Sequence, residues 1–259
     1  RAVIRILGFE EDQNQFCAYL IVSTLVCVKR LIERRKFYPI YAIVLGLSFY
    51  AILKTGSRGG LLGILLGVAA YAAIGIKSFK AKVGLAAAAV FLGIIIITVI
   101  MPMLPQDVAE RYTISSVQKS GGSGRTEIWN FLIDYSVQEP SRLIRGSGIF
   151  STYDIMYAAG FQNGVAHNAF IQILNDEGLI GVILFAASVA ACIFRNIKQQ
   201  PLYACAMIAL IGFAMSLSFY VFKPYLNIMM MCAMSFEGCL PEDRIKCDTK
   251  TAKGEKAYA

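Results

Sequence analysis

Apolar residues along this chain gather into seven runs: Asn14–Val28, Phe37–Leu53, Leu61–Ile76, Val83–Leu104, Gly178–Phe194, Leu202–Phe222 and Pro224–Leu240. A helix that crosses a bilayer needs roughly 20 apolar residues, with a range of about 17–25. Most of the runs reach that window, and the first falls a little short. An open sheet would leave unpaired N–H and C=O groups in lipid, so each run is expected to be a helix. The pattern predicts an all-α, polytopic membrane helix bundle of about seven spans. Four lie within residues 1–104 and three within 178–240, with a tail over 241–259. Residues 105–177 interrupt the alternation as a large polar loop, expected to contain short amphipathic helices.

Composition agrees with the pattern. Hydrophobic residues make up 57% of the chain and charged residues 16%, against about 25% charged in soluble domains. The chain opens on Arg1, in the middle of a polar pattern, and reads as the C-terminal part of a longer protein. A net charge of +8 would suit a nucleic-acid partner, but its distribution does not. The basic residues cluster at Lys29–Lys36, at Lys77, Lys80 and Lys82, at Arg195 and Lys198, and in the tail. Basic clusters on alternate loops mark the cytoplasmic side. The 54–60 loop, residues 105–177 and the turn at 223 are then extracytoplasmic. Arginines in those outer segments are not explained by the rule, and chemical work is expected of them. The cysteines at 17, 27, 192, 205, 232, 239 and 247 show no metal or redox spacing and read as packing residues or reduced thiols.

Four outer features carry candidate chemistry. Ser57-Arg58-Gly59-Gly60 opens the third run, where a helix N-terminus and a guanidinium both favour anions. An arginine snorkelling to the headgroups is the competing reading. Glycines 59, 63 and 67 then fall on one face, a spacing that lets helices pack closely in lipid. Arg125 stands at the start of a short amphipathic helix, Thr126–Val137, whose apolar side is Ile128, Trp129, Leu132, Ile133 and Tyr135. Tryptophan there suits a membrane interface. Arg145-Gly146-Ser147-Gly148 forms a compact turn whose N–H groups could approach an anion.

His167, the only histidine, completes the set within Ala166-His167-Asn168, close to Asp154, Asp176 and Glu177. Its ordinary pKa, about 6.5, suits proton transfer near neutral pH. Packing beside Phe170, Ile171 and Leu174 on a helix face is the structural alternative. One histidine and scattered acids make a zinc site a poor fit, so no metal and no cofactor are expected.

These pieces, in this order, resemble the O-antigen ligase and O-antigen polymerase superfamily of bacterial envelope glycosyltransferases. The matching elements are Asp12-Gln13-Asn14-Gln15-Phe16, Ser57-Arg58-Gly59-Gly60, Gly124-Arg125 with Trp129, Gly146-Ser147-Gly148, His167-Asn168 and Glu177-Gly178-Leu179-Ile180-Gly181. The resemblance covers roughly residues 8–195. It implies transfer of a glycan from undecaprenyl pyrophosphate to an acceptor hydroxyl, with inversion and without a metal. The acceptor would be lipid A–core or a second lipid-linked glycan, and the enzyme would sit in the bacterial inner membrane with its site facing outward. On that likeness Arg58 and Arg125 hold the pyrophosphate and His167 orients or deprotonates the acceptor. Ser57, Gly59, Arg145, Ser147, Asn168 and Glu177 would line the substrates. Two other classes compete. A flippase needs charges lining a path at mid-membrane depth, and these spans are nearly free of charge. A non-catalytic assembly subunit would tolerate loss of Arg58 and His167.

Overall fold

The computed structural model describes residues 13–33, 37–113, 124–215 and 217–218. The described residues are all-helical. Helices α1 (Gln13–Ile32), α2 (Tyr38–Thr55) and α3 (Arg58–Ala70) come first, α3 following α2 through a turn at Gly56 and Ser57. A π turn, Tyr71–Gly75, continues α3. Helix α4 (Phe79–Ile95) likewise runs on through a π turn, Ile96–Ile100, and a short turn at Met101–Met103. Four shorter helices come next: α5 (Gln106–Glu110), α6 (Arg125–Val137), α7 (Pro140–Arg145) and α8 (Ser151–Ala158). Helices α9 (Ala169–Gln199) and α10 (Pro201–Ala214) close the described chain.

Among the described residues five helices are long and apolar enough to cross a membrane: Gln13–Ile32, Tyr38–Thr55, Arg58–Gly75, Phe79–Met103 and Ala169–Lys198. They coincide with the first five apolar runs. The sixth run appears as the 14-residue α10, and most of its remainder lies outside the described residues. The seventh run, Pro224–Leu240, and the tail lie outside them as well.

Polar residues finish some of these helices beyond the apolar runs. Lys29 and Arg30 sit in the last turn of α1, and Ser57 caps α3. Cations near a helix C-terminus offset its partial negative charge.

The core is built by α1, α3 and α10. Cys17, Ile21 and Leu25 of α1 meet Ile64 of α3 and Ala209 and Phe213 of α10. Glycine makes this approach possible. A Cβ added at Gly60 would lie 2.7 Å from Cys17 Cβ, and one at Gly67 would lie 2.8 Å from Ala209 Cβ. At Gly63 it would fall 3.1 Å from the Ala209 carbonyl oxygen. The packing face is therefore Gly60, Gly63 and Gly67, while Gly59 stays half-buried beside it. Lipid tails are as apolar as leucine, so helices in a bilayer associate through such close contact.

Helix α4 is the opposite case. None of its residues is buried, and Phe79, Val90, Phe91 and Ile97 are each at least two-thirds exposed or nearly so. Such a surface suits lipid.

Candidate functional site

The first cluster forms where α2 hands over to α3. Ser57 is buried, and its Oγ accepts from Gly60 N–H at 3.1 Å while donating to Asn14 Oδ1 at 2.7 Å. That is an N-cap, with Ser57 in extended backbone. It also ties the start of α1, including the Asn14 of the first motif, to the start of α3. Arg58 is the first residue of α3, as the sequence pattern predicts.

Its Nε donates to the Arg111 carbonyl at 2.6 Å, and Arg111 Nε donates back to the Gly56 carbonyl at 3.0 Å. Two arginines thus brace each other at one helix start. Leu104 and Val108 pack on Leu53, and the Tyr112 hydroxyl donates to the Leu53 carbonyl at 3.0 Å. These contacts fold the chain after α4 back onto the end of α2 and deliver Arg111. Sequence reasoning did not single out Arg111. A signal is present: it is one of the arginines of the 105–177 segment that the charge rule leaves unexplained.

The second cluster surrounds His167. Arg125 opens α6 behind Gly124, whose φ is 75°. One turn on, the Trp129 indole N–H donates to the Ala166 carbonyl at 2.8 Å. The tryptophan is therefore a clasp on the histidine turn. On α6 the buried positions are Leu132 and Ser136, and Ile133 is exposed, so it leaves the apolar side expected of it.

His167 precedes α9, at a φ of 52°. A left-handed backbone on a residue with a Cβ costs about 1–2 kcal/mol, and the surrounding bonds hold it there. Ala166 is clasped by Trp129 on one side. On the other, Asn168 is the N-cap of α9, its Oδ1 accepting from the N–H groups of Phe170 and Ile171 at 3.0 and 3.3 Å. Asn168 N–H donates to Ser218 Oγ at 3.2 Å, just past the end of α10. The Asn168 side-chain oxygen is thus engaged by the helix. The histidine does not lie on the helix face with Phe170, Ile171 and Leu174, because it lies outside the helix. His167 Nδ1 is shielded from solvent.

The third cluster lies along the first part of α9. Asn168, Gln172, Asn175 and Asp176 are all buried, Asp176 to within 1% of full burial. Asp176 Oδ1 accepts from Thr152 N–H at 2.7 Å, Thr152 Oγ1 at 2.6 Å and Ser151 Oγ at 3.1 Å. Asn175 Nδ2 donates to Thr152 Oγ1 at 2.9 Å, and Ser136 Oγ donates to Asn175 Oδ1 at 3.4 Å. Helices α6 and α8 are thereby fastened to one polar stripe.

The glycine turn is fastened to the same stripe. Ser147 N–H donates to the Asn175 carbonyl at 2.8 Å and Gly148 N–H to the Asp176 carbonyl at 2.9 Å. This corrects the expectation that the turn offers its N–H groups to an anion: they are satisfied within the protein. Gly146 has a φ of 77°, and a Cβ there would sit 2.3 Å from the Asp176 carbonyl oxygen. Across the contact, Gly178 has a φ of 71°, and its Cβ would meet the Ile144 carbonyl oxygen at 2.4 Å. Only glycine satisfies both the backbone angle and the space at either residue.

Gly178 is also where α9 departs from helical geometry, with ψ of −167°. Arg145 is exposed at the end of α7, and Ser147 is exposed in the turn. Glu177 is half-buried over Gly181, where an added Cβ would meet its Oε2 at 2.8 Å.

The second and third clusters share α9. The first joins them through α10, which packs extensively along α3 and carries Ser218 just beyond its end. Gly59 sits within the first turn of α3, next to Arg58.

Described residues that are all-helical, with five candidate spans among them, make a multi-pass membrane protein. The chain belongs to the O-antigen ligase family, whose model matches residues 43–186, more than half of its length. The match runs from α2 into the second part of α9 and includes Arg58, Arg125 and His167. No curated protein and no solved structure matches it. The family places the chain among membrane enzymes that join lipid-linked glycans to acceptors.

Proposed function

We propose that this protein transfers a glycan from undecaprenyl pyrophosphate to an acceptor hydroxyl on the extracytoplasmic face of the bacterial inner membrane. It would act as the ligase or as the polymerase of surface polysaccharide. The observation that carries the reading is the His167 turn. The chain's one histidine is held in a left-handed backbone between Ala166, clasped by Trp129, and Asn168, the N-cap of α9, in a chain of the O-antigen ligase family. Backbone strain of this kind clusters at functional sites.

In the reaction, the acceptor oxygen attacks the anomeric carbon from the face opposite the leaving group. The new C–O bond forms as the bond to the pyrophosphate oxygen breaks, and the configuration inverts. His167 takes the acceptor's proton, an assistance commonly worth about 10²–10⁴-fold. Arg58 and Arg125 stabilise the charge that grows on the departing pyrophosphate, which typically contributes several kcal/mol. No resident metal is required by these roles. Glu177 and Asn168 support the turn and its surroundings, and Arg145 and Ser147 are exposed where a glycan could pass.

The test is the surface-glycan profile of a host deleted for the full-length gene and complemented with wild type or His167→Ala. Glycan restored by wild type alone supports the transferase. Single repeats remaining on the acceptor then identify a polymerase, and long chains stranded on the lipid carrier identify a ligase. Equal restoration by both removes His167 from the mechanism and favours an assembly subunit or a transporter.

A further inference from the structure

We infer that Arg111 joins Arg58 in a two-arginine clamp for the diphosphate of the lipid-linked donor, an assignment that rests on the transferase reading above. The two residues are far apart in sequence, yet each holds the other's neighbourhood through Nε: Arg58 to the Arg111 carbonyl at 2.6 Å, Arg111 to the Gly56 carbonyl at 3.0 Å. A guanidinium carries five N–H donors in a rigid plane. A bond through Nε uses one of them and fixes the plane. Both side chains are half-buried, so their charges are only partly hydrated. Among the described residues Arg111 forms no ion pair, although Glu110 is its immediate neighbour in sequence. Glu110 itself is exposed, and its Oε1 accepts from Gln106 Nε2 at 3.0 Å.

Two like charges drawn together and half-buried, one of them with no ion pair among the described residues, would be stabilised by a nearby anion. The N-terminus of α3, where Arg58 stands, adds partial positive charge of the same sign. Two fixed forks match a group with several oxygens on adjacent phosphorus atoms better than a single carboxylate. Arg111 arrives by a route separate from α3, through the α5 fold-back, so the clamp closes only when Leu104, Val108 and Tyr112 are seated on α2.

The probe is inorganic pyrophosphate, titrated against the full-length protein in zwitterionic nanodiscs, with inorganic phosphate as comparison. Wild type should prefer pyrophosphate. Arg111→Gln should weaken it about 10–100-fold, the scale of losing a charge-assisted bond, with the melting temperature within a few degrees of wild type. Arg111→Lys should fall between, because it keeps the charge and loses the fork. Wild-type pyrophosphate affinity in a folded Arg111→Gln protein would overturn the clamp, as would equal affinity for phosphate and pyrophosphate in wild type. Should Arg111→Gln fail to fold, Arg111→Lys decides alone, and undiminished binding there overturns the fork geometry. Weakened pyrophosphate binding in a protein whose wild type transfers no glycan keeps the anion clamp and sinks the transferase. Normal transfer with unchanged pyrophosphate affinity in Arg111→Gln sinks the clamp and leaves the transferase standing.

Discussion

The α1–α3–α10 core and the α6–α9 assembly solve the same problem, close helix packing, with opposite chemistry. In the core, glycines and alanines let backbones approach, and Ile64, Phe213 and Leu25 fill the space. In the α6–α9 assembly, a buried stripe of Asn168, Gln172, Asn175 and Asp176 collects hydroxyls and backbone N–H groups from three neighbouring segments. Where lipid is the solvent, apolar burial supplies no drive between helices, and shape does the joining. Where water is near, an unpaired buried polar group costs heavily, so a satisfied network locks one arrangement.

The sharpest way to break this contrast is Gly178→Ala. It forces a left-handed backbone onto a side chain and drives a Cβ into the Ile144 carbonyl. Strain and overpacking together should cost about 2–6 kcal/mol. Limited proteolysis should then cut the 125–177 segment readily while the spans stay protected; an unchanged cleavage pattern would refute the clasp.

Next comes Asp176→Ala, which strands the Thr152 N–H and the Ser151 and Thr152 hydroxyls. The three losses share one acceptor and do not add; together they should cost about 2–5 kcal/mol, with Asp176→Asn milder, as read from melting temperatures.

Gly67→Leu probes the other region. Overpacking against Ala209 should cost about 1–3 kcal/mol and loosen the spans while proteolysis of residues 125–177 stays as in wild type.

Asn168→Ala removes a cap and should cost about 1 kcal/mol; the more telling readout is activity, which should drop further than the melting temperature because His167 loses its anchor.

The smallest effect belongs to Glu139 on the exposed rim. The Ser141 hydroxyl, and then Arg142, hold its carboxyl below the usual range. A depressed carboxyl contributes stability above its unfolded pKa and loses it as pH falls through its folded one. Surface pairs are worth little, so Glu139→Gln should leave the melting curve at neutral pH indistinguishable from wild type.

Much of the contrast could be read from residue pattern alone. Apolar runs of span length located the first five long helices, because hydrophobic length is the dominant signal in a bilayer. Small-residue spacing gave Gly63 and Gly67 their packing role, and the arginines at 58 and 125 fell at helix starts as expected. Local pattern failed where a residue's partner is distant. Nothing near Trp129 announces that its N–H meets Ala166, and nothing near Ser147 and Gly148 announces that their N–H groups meet the Asn175 and Asp176 carbonyls. Arg111 escaped for the same reason, since its meaning comes from Gly56 and Arg58. The polar face of α9 looks like a solvated side until Ser136, Ser151 and Thr152 are brought to it.

The Gly146–Gly178 contact has a mechanical meaning. A span and the helix that carries the histidine turn meet at one residue, and the turn after α7 is bolted across the joint. The 125–177 segment is therefore a bracket on the membrane frame and not a lid on a tether. It cannot swing aside to admit a glycan without tearing the Asn175 and Asp176 bonds. On the proposed transfer, both substrates would reach His167 past the edges of this bracket.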